Sequence, residues 1–311
     1  MNIQQFNYIL AVAETRHFET AADKCFVAQS TLSTMISRFE DEIEIKVFDR
    51  SVKPVELTQE GKIIVGRLKR IRFEIDQLQD SIQELKGEMK GEIKIGCIPT
   101  VAPFLLPLFL QNFSIKYPDL FLEIKELTTS EIEKQILSRD LDIGIVSTTM
   151  ILKDFTKLPI YEESFVLYDA SKKVDAEMQI ADLKMDRFWL LEEGHCMRTQ
   201  VLEICDAPKP QLNPSFNINY KVGSIDSLLR FVKSNKGKTL LPVLAVTEFT
   251  EAERQHLSYF KGDVPYREIG LVTHQHFAKT KVLELMKKEI VGVVKNIDGV
   301  MLLNGIQPSK I

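Results

Sequence analysis

Residues 29–61 have the sequence QSTLSTMISRFEDEIEIKVFDRSVKPVELTQEG, which predicts a helix, a short hairpin and the start of a second helix. Leu32, Ile36 and Phe39 recur at helical spacing and should face a core. Two short extended runs then flank the turn at residues 53–54, as in a β-wing. Thr58 precedes Gln-Glu-Gly and can cap the next helix with its hydroxyl.

The residues before this stretch predict two more short helices. The first should bury the apolar side chains that share one face, which are Ile3, Phe6, Ile9, Leu10, Val12 and Ala13. The second runs through residues 21–25, and residues 26–29 form a tight connector to the helix at residues 30–42. The helix at residues 21–25 and the helix at residues 30–42, joined in this way, make a helix-turn-helix. The helix at residues 30–42 is the candidate reader of DNA. We therefore expect an all-α winged helix-turn-helix domain at residues 1–58.

The helix that follows carries the most regular apolar pattern in the chain. Its apolar positions step by alternating fours and threes, at Ile64, Leu68, Ile71, Ile75, Leu78, Ile82 and Leu85. This is the repeat of a coiled-coil seam, and the opposite face is densely charged. A core helix that packs on its own domain would give a similar stripe. We interpret residues 59–90 as a coiled-coil dimerisation and linker helix.

From residue 91 to residue 311 strands alternate with helices. Strand-like runs occur at residues 93–98, 121–127, 141–146, 164–168, 188–191, 221–224 and 268–272. Apolar helical runs lie between several of them, which predicts a mostly parallel sheet. Two α/β lobes with a ligand cleft between them are the expected arrangement of this regulatory domain.

Composition excludes several classes of protein. No apolar run is long enough to cross a membrane, and the N-terminus lacks the features of a secretory signal, so a cytoplasmic protein with no membrane contact is expected. Four scattered cysteines without a CxxC pair argue against a disulfide framework and against structural zinc. Neither GxGxxG nor P-loop glycines are present. We expect neither a metal nor a cofactor.

The charge balance places a condition on any DNA contact. The net charge is −4, and residues 1–64 hold seven Lys and Arg against ten Asp and Glu. Contacts must therefore come from locally placed groups. The candidate DNA-contacting residues lie at the start and on the exposed side of the helix at residues 30–42 and in the wing. They are Gln29, Ser30, Thr31, Ser33, Thr34, Arg38, Arg50 and Lys53. Without further support, a solvated helix face would account for the same residues.

The order of these parts resembles that of the LysR-type transcriptional regulators, nearly over the full length. The residues that carry the resemblance are Ala21-Ala22, residues 29–33, Ile36, Glu40, residues 48–50 and residues 57–61. The resemblance implies a periplasmic-binding-protein-like regulatory domain, double-stranded promoter or operator DNA as partner, a homodimer, and RNA polymerase as a further partner.

A narrower resemblance is to the OxyR-type peroxide sensors. It rests on residues 97–103, on Glu193-Gly194-His195-Cys196-Met197-Arg198 with Cys205, and on Thr239-Leu240-Leu241-Pro242. It implies that Cys196 reacts with hydrogen peroxide, that Cys205 closes a reversible disulfide, and that dimers pair into tetramers. The chain departs from the pattern at residues 206–210 and at Thr199.

Chemistry suggests roles for the neighbours of Cys196. Peroxide is attacked by a thiolate, which Arg198 can stabilise by its charge. His195 or Thr100 can hydrogen-bond the peroxide oxygens, although Thr100 could instead cap the next helix. Thr129 also follows a strand and is a further candidate.

The other cysteines and histidines have simpler interpretations. Cys25 and Cys97 are expected to be small buried apolar side chains. His274 and His276 could bind metal only adventitiously.

If residues 197–204 are helical, Cys196 and Cys205 lie about 13 Å apart by helical rise, beyond the reach of a disulfide, so oxidation would have to unwind this segment.

These patterns predict a non-enzymatic regulator that reduces peroxide stoichiometrically as a signal. Two alternatives remain open. The first is a LysR-type regulator that binds a small organic effector between the lobes. The second is a thiol peroxidase, for which the DNA-binding module would be unnecessary.

Overall fold

A computed structural model describes residues 1–86, 89–151, 155–173, 177–205 and 221–303. The chain divides into two compact units, Met1–Lys86 and Gly87–Ile311. In the described ranges no helix has both the length and the apolar character that a membrane span requires.

The N-terminal unit is the predicted winged helix-turn-helix. Its elements are α1 (Ile3–Thr15), α2 (Phe18–Lys24), α3 (Gln29–Ile43), β1 (Phe48–Asp49), β2 (Glu56–Leu57) and α4 (Gln59–Leu85). Strands β1 and β2 pair antiparallel to form the wing. The core gathers around Ile9, Val12, Leu32, Ile36 and Phe39. Ile3, predicted to be buried, is instead half exposed because it lies in the first turn of α1.

The start of α4 is fixed to the wing by Thr58 and Gly61. The Thr58 hydroxyl accepts a hydrogen bond from the Gly61 amide at 2.8 Å, which confirms the predicted cap. The same hydroxyl donates to the carbonyl oxygen of Lys46 at 2.7 Å. A methyl group at Gly61 would overlap the carbonyl oxygen of Val47. This close approach therefore requires glycine.

Gly61→Ala is expected to lower the free energy of unfolding by about 1–3 kcal/mol, because the new methyl group must push α4 away from the wing. Gly66, five residues later in α4, has open space around it. Gly66→Ala should therefore stabilise the unit by up to about 1 kcal/mol through helix propensity alone. Urea unfolding of both variants measures the difference; equal effects at the two positions would contradict the packing argument.

The apolar stripe of α4 divides between two surroundings. Leu68 is buried in the core of the N-terminal unit and Ile64 packs against it. Farther along, Ile71, Leu78, Ile82 and Leu85 are exposed, Leu85 by 88%. The first positions of the predicted seam therefore belong to the core of their own domain, and the uncovered stripe begins at Ile71.

The C-terminal unit is a mixed α/β domain. Its strands are β3 (Gly91–Cys97), β4 (Leu120–Glu126), β5 (Ile143–Ser147), β6 (Phe155–Asp169), β7 (Glu177–Met178), β8 (Lys238–Pro242), β9 (Leu257–Phe260), β10 (Tyr266–His274) and β11 (Val300–Leu302). Its helices are α5 (Ala102–Lys116), α6 (Thr129–Ser138), α7 (Cys196–Ile204), α8 (Ile225–Ser234), α9 (Glu251–Arg254) and α10 (Thr280–Val294).

The sheet is less parallel than predicted. Strands β4, β3 and β5 run parallel, but β10 pairs antiparallel with both β5 and β6. The long strand β6 joins the two halves of the domain: its first part pairs with β10, and its last residues pair with β8 and β9. Two predicted strands are wrong. Residues 188–191 form only a single bridge at Phe188, and residues 221–224 form no strand.

The parallel strands determine where polar residues gather. The carboxyl ends of β3, β4 and β5 lie at one edge of the sheet. Thr100 follows β3, Thr129 begins α6 after β4, and Ser147 ends β5. In α/β sheets this edge is where ligands bind, because the loops that follow adjacent strands converge there.

Candidate functional site

Cys196 is the first residue of α7. Gly194, with a φ of +102°, turns the chain into the helix, and His195 stands at the N-cap position. Cys196 is 7% exposed and is a free thiol. The amide groups at a helix N-terminus favour negative charge, and the Cys196 side chain stands at this end of α7.

Cys205 stands at the other end of the same helix, as its C-cap, and is also a free thiol. The separation of nine positions along the helix corresponds to about 13 Å of helical rise. A disulfide requires Cα atoms within about 7 Å of each other. With α7 intact, the two sulfur atoms cannot bond.

Burial raises the pKa of the Cys205 thiol to about 11. Compared with an ordinary value of 9.0, this reduces the thiolate fraction at pH 8 about a hundredfold. Cys205 is therefore a protonated thiol at neutral pH in the folded protein.

Alkylation should reveal this difference. In the reduced, folded protein at pH 8, Cys205 is expected to react with iodoacetamide about a hundredfold more slowly than in denaturant, because its thiolate is scarce. Its rate should rise about tenfold per pH unit up to pH 10. Peptide mass spectrometry of timed samples measures both rates. A folded-state rate equal to the denatured rate would contradict the shifted pKa.

Gln200 attaches α7 to the edge of the sheet. Its side-chain Nε2 donates to the hydroxyl of Ser147, the last residue of β5, at 2.9 Å. Cys196 and Gln200 are four residues apart and therefore lie on the same face of α7. The face that carries the Cys196 thiol is thus directed at the carboxyl edge of β3, β4 and β5.

Thr100 is held at this edge by a buried ion pair. Arg267 donates from Nη1 to the Thr100 hydroxyl and from Nη2 to the Thr100 carbonyl, each at 3.0 Å. The same guanidinium lies 2.8 Å from Glu163, and neither side chain is exposed. Glu163 also accepts from the Leu244 amide at 3.2 Å. Because the Thr100 hydroxyl accepts from arginine, its own proton is the group that it can offer to a bound oxygen.

Two buried polar atoms at this edge have no hydrogen-bond partner in the part of the chain that the structure describes. They are the hydroxyl oxygen of Thr129 and the side-chain Oε1 of Gln200. An unpartnered buried polar atom costs about 1–3 kcal/mol, so each of these two oxygens has the capacity to accept a hydrogen bond from a ligand or from water. Val101 occupies the N-cap position of α5 and no side chain caps this helix, so capping does not explain Thr100.

His195 and Arg198, the predicted neighbours of Cys196, differ in burial and in hydrogen-bond partners. His195 is 8% exposed, and burial lowers the pKa of its imidazole, which is therefore neutral at pH 7. The Arg198 guanidinium donates to the Leu191 carbonyl at 2.8 Å. This bond anchors the first turn of α7 to residue 191 and keeps the positive charge beside that turn.

Cys97 lies at the carboxyl end of β3, whereas Cys25 belongs to the N-terminal unit. Cys97 is fully buried in β3, and burial raises the pKa of its thiol; Cys25 is half-buried with its pKa raised for the same reason. The rings of His274 and His276 have centroids 5.5 Å apart and planes tilted by 39°. Among the described residues no cluster of three or more potential metal ligands occurs. Residues 206–210, where the sequence departs from the pattern, lie outside the described residues.

The predicted DNA-reading residues occupy the start and one side of α3. Gln29, Ser30, Thr31, Thr34 and Arg38 are exposed, and Ser33 is half-buried. Lys53 is exposed at the tip of the wing.

Arg50 lies against α3 rather than projecting from the wing. Its guanidinium donates to the hydroxyls of Ser33 and Ser37 at 3.2 Å and pairs with Glu40 at 3.3 Å. Glu40 in turn accepts from the Val47 amide at 2.8 Å. Arg50 therefore ties the wing to the candidate reading helix.

Sequence reasoning missed Gln200, Glu163 and Arg267. Gln200 lay one helical turn beyond Cys196 and could have been found from that spacing. Arg267 alternates with Ile269 and Leu271 in β10, so its position on the buried face of a strand was the available signal.

Both parts of the chain match known families. Residues 3–62 match the bacterial regulatory helix-turn-helix protein family, lysR type, and residues 86–292 match the LysR substrate binding domain family. The DNA-binding transcriptional dual regulator OxyR of Escherichia coli K12 is 32% identical over 88% of this chain and 89% of its own length. The hydrogen peroxide-inducible genes activator of Haemophilus influenzae is also 32% identical, over 88% of this chain and 90% of its own length.

A solved structure extends the likeness to the whole fold. The structure of a full-length OxyR variant from Pseudomonas aeruginosa matches with a TM-score of 0.75 and 25% identity, and the match covers 99% of both chains. With two family matches and 32% identity to OxyR over most of its length, the chain belongs to the LysR family of bacterial transcriptional regulators and, within it, to the OxyR group.

Proposed function

We propose that this chain is a DNA-binding transcription regulator that senses hydrogen peroxide by oxidation of Cys196 and a reversible Cys196–Cys205 disulfide. The observation that carries the proposal is the placement of two free thiols at opposite ends of α7. The names of its relatives, which include hydrogen peroxide-inducible activators, support the same chemistry.

The first step is attack of the Cys196 thiolate on peroxide. A sulfur–oxygen bond forms, the oxygen–oxygen bond breaks, and the departing hydroxide takes up a proton to become water. The helix N-terminus and Arg198 stabilise the thiolate. Thr100 and the neutral His195 can hydrogen-bond the peroxide oxygens. Thr129 and Gln200 contribute their unpartnered oxygens to the same edge.

The second step is attack of the Cys205 sulfur on the sulfenic acid. The sulfur–sulfur bond forms and a second water leaves, so two thiols and one peroxide give one disulfide and two waters. Because the helix separates the thiols by about 13 Å, α7 must unwind first. Unwinding breaks the Gln200–Ser147 bond and alters the surface around residues 197–204, which makes α7 a two-state element.

The reading of DNA is assigned to the N-terminal unit. Residues 29–34 and Arg38 supply amide, hydroxyl and guanidinium groups for base edges and phosphates, while Lys53 reaches phosphate from the wing. The stripe from Ile71 to Leu85, in which Ile75 is half-buried and the other apolar seam positions are exposed, is proposed as a coiled-coil seam with a second copy, which doubles these local contacts. Pairing of dimers into tetramers and contact with RNA polymerase complete the proposal.

Disulfide mapping tests the proposal. The reduced protein is treated with one equivalent of hydrogen peroxide and its peptides are analysed by mass spectrometry. A Cys196–Cys205 disulfide at stoichiometric yield, with loss of helical circular dichroism, is expected. If both thiols remain free, the protein is better explained as a LysR-type regulator of a small organic effector. Many turnovers per protein with a reductant would instead indicate a thiol peroxidase.

A further inference from the structure

Phe26 lies in the turn between α2 and α3 and is 95% exposed, the most exposed large apolar side chain among the described residues. Its backbone has a φ of +56°, in the left-handed region. A bulky residue rarely adopts this conformation, because its Cβ crowds the backbone.

The backbone conformation follows from how α2 ends. The Val27 amide donates to the Ala22 carbonyl, and the Phe26 amide donates to the Asp23 carbonyl, both at 3.1 Å. This pair of bonds is the Schellman motif, in which the left-handed position is usually glycine. Phe26 therefore occupies a position where glycine would fit better.

Burial of the Phe26 side chain does not offset this backbone strain. It is exposed to solvent instead of packing in the core of the N-terminal unit. The left-handed backbone conformation costs folding free energy, and the exposed side chain recovers none of it by burial, so we look for its role in a contact outside the chain.

The position of Phe26 identifies that contact. Three residues later the exposed side chains of Gln29, Ser30 and Thr31 begin α3. In helix-turn-helix proteins the first residues of this helix meet the base edges in the major groove. An aromatic side chain beside them meets the one apolar group that this groove presents, the C5-methyl group of thymine.

We propose that Phe26 is a specificity-determining residue that packs on a thymine methyl group in the major groove. The inference rests on DNA binding in the proposed function and is independent of the cysteine chemistry. It adds an apolar contact to a reading surface that otherwise consists of amide, hydroxyl and charged groups.

Phe26→Gly separates the two effects of this residue. Because glycine suits the left-handed position, the Tm of the variant should rise by a few degrees. Its affinity for DNA should fall on the order of tenfold for a dimer, since each copy loses the burial of about one methyl group. The probe is a duplex recovered by the full-length wild-type protein from a randomised pool, with binding measured at fixed salt.

Uracil substitution locates the contact. Replacing each thymine of that duplex with uracil in turn removes one methyl group at a time. Wild-type binding should weaken at one thymine in each half-site, and Phe26→Gly should be insensitive to uracil at the same place. Ile63, an exposed apolar residue of α4, provides the control, because Ile63→Ala should change neither affinity nor the uracil pattern.

The outcomes distinguish this inference from the proposed function. If the wild-type protein retains no duplex, DNA binding in the proposed function fails and the inference fails with it. If wild type and Phe26→Gly bind equally, or if the variant loses affinity but keeps the wild-type uracil pattern, only the thymine contact is overturned.

Discussion

Replacement of Cys196 with serine is expected to abolish both peroxide consumption above background and disulfide formation. The serine hydroxyl is close in size to the thiol but is not a nucleophile toward peroxide at neutral pH, so α7 should remain folded while the chemistry stops. A peroxide electrode measures the rate, and circular dichroism at 222 nm before and after peroxide measures the helix.

The companion variant Cys205→Ser should separate the two chemical steps. It keeps the attacking thiol, so peroxide consumption should persist at the wild-type rate while the product stops at a sulfenic acid that dimedone can trap. Without the disulfide, α7 need not unwind, and its helical signal should be retained. Cys25→Ser, which changes a half-buried thiol in the other unit, is the matched control and should behave as wild type.

Two results would contradict this sequence of events. Peroxide consumption by Cys196→Ser at the wild-type rate would move the reactive thiol to another cysteine. A disulfide between Cys196 and Cys205 that forms without loss of helical signal would contradict the separation imposed by α7, because about 13 Å of helical rise cannot be bridged by one disulfide.

Local patterns predicted the N-terminal unit well. The spacing of Leu32, Ile36 and Phe39 located α3, and the hydroxyl of Thr58 located the start of α4. These features depend on neighbours a few residues apart in the chain, which a sequence displays directly. The pattern did not show which apolar positions of α4 are buried in the core of the N-terminal unit and which are exposed. Core positions and coiled-coil seam positions carry the same types of apolar residue.

The sheet of the C-terminal unit was harder to predict because its pairing is non-local. Only residues 164–168 of β6 were recognised, whereas the strand begins at Phe155 and pairs with β10 about a hundred residues later. Alternation of strands with helices suggested parallel pairing, but the return of β10 between β5 and β6 makes the middle of the sheet antiparallel.

The same distance limited prediction of the site. Cys196, Thr100 and His195 were identified from family-like motifs, and Arg198 from its charge beside the thiol. The partners of Thr100 lie far away in the chain: Arg267 is 167 residues from it. Only the three-dimensional structure brings together a buried ion pair and the hydroxyl that it positions.

Arg267→Met is expected to lower the free energy of unfolding by about 3–5 kcal/mol, because it leaves the Glu163 carboxylate buried without its partner. It also removes both hydrogen bonds to Thr100. Urea unfolding measures the loss. Arg254→Met is the matched control: Arg254 donates to the backbone carbonyls of Phe249 and Thr247 but is exposed, so its loss should cost no more than about 1 kcal/mol.

A second substitution separates the ion pair from packing at the same place. Glu163→Leu combined with Arg267→Met removes both charges and should recover most of the stability lost by Arg267→Met alone, since a buried ion pair is worth little more than the apolar residues that replace it. Because the double variant still lacks the donors to Thr100, its reaction with peroxide should stay slower than wild type although its fold is restored. Recovery of the wild-type rate together with stability would show that Arg267 serves the fold alone and does not position Thr100.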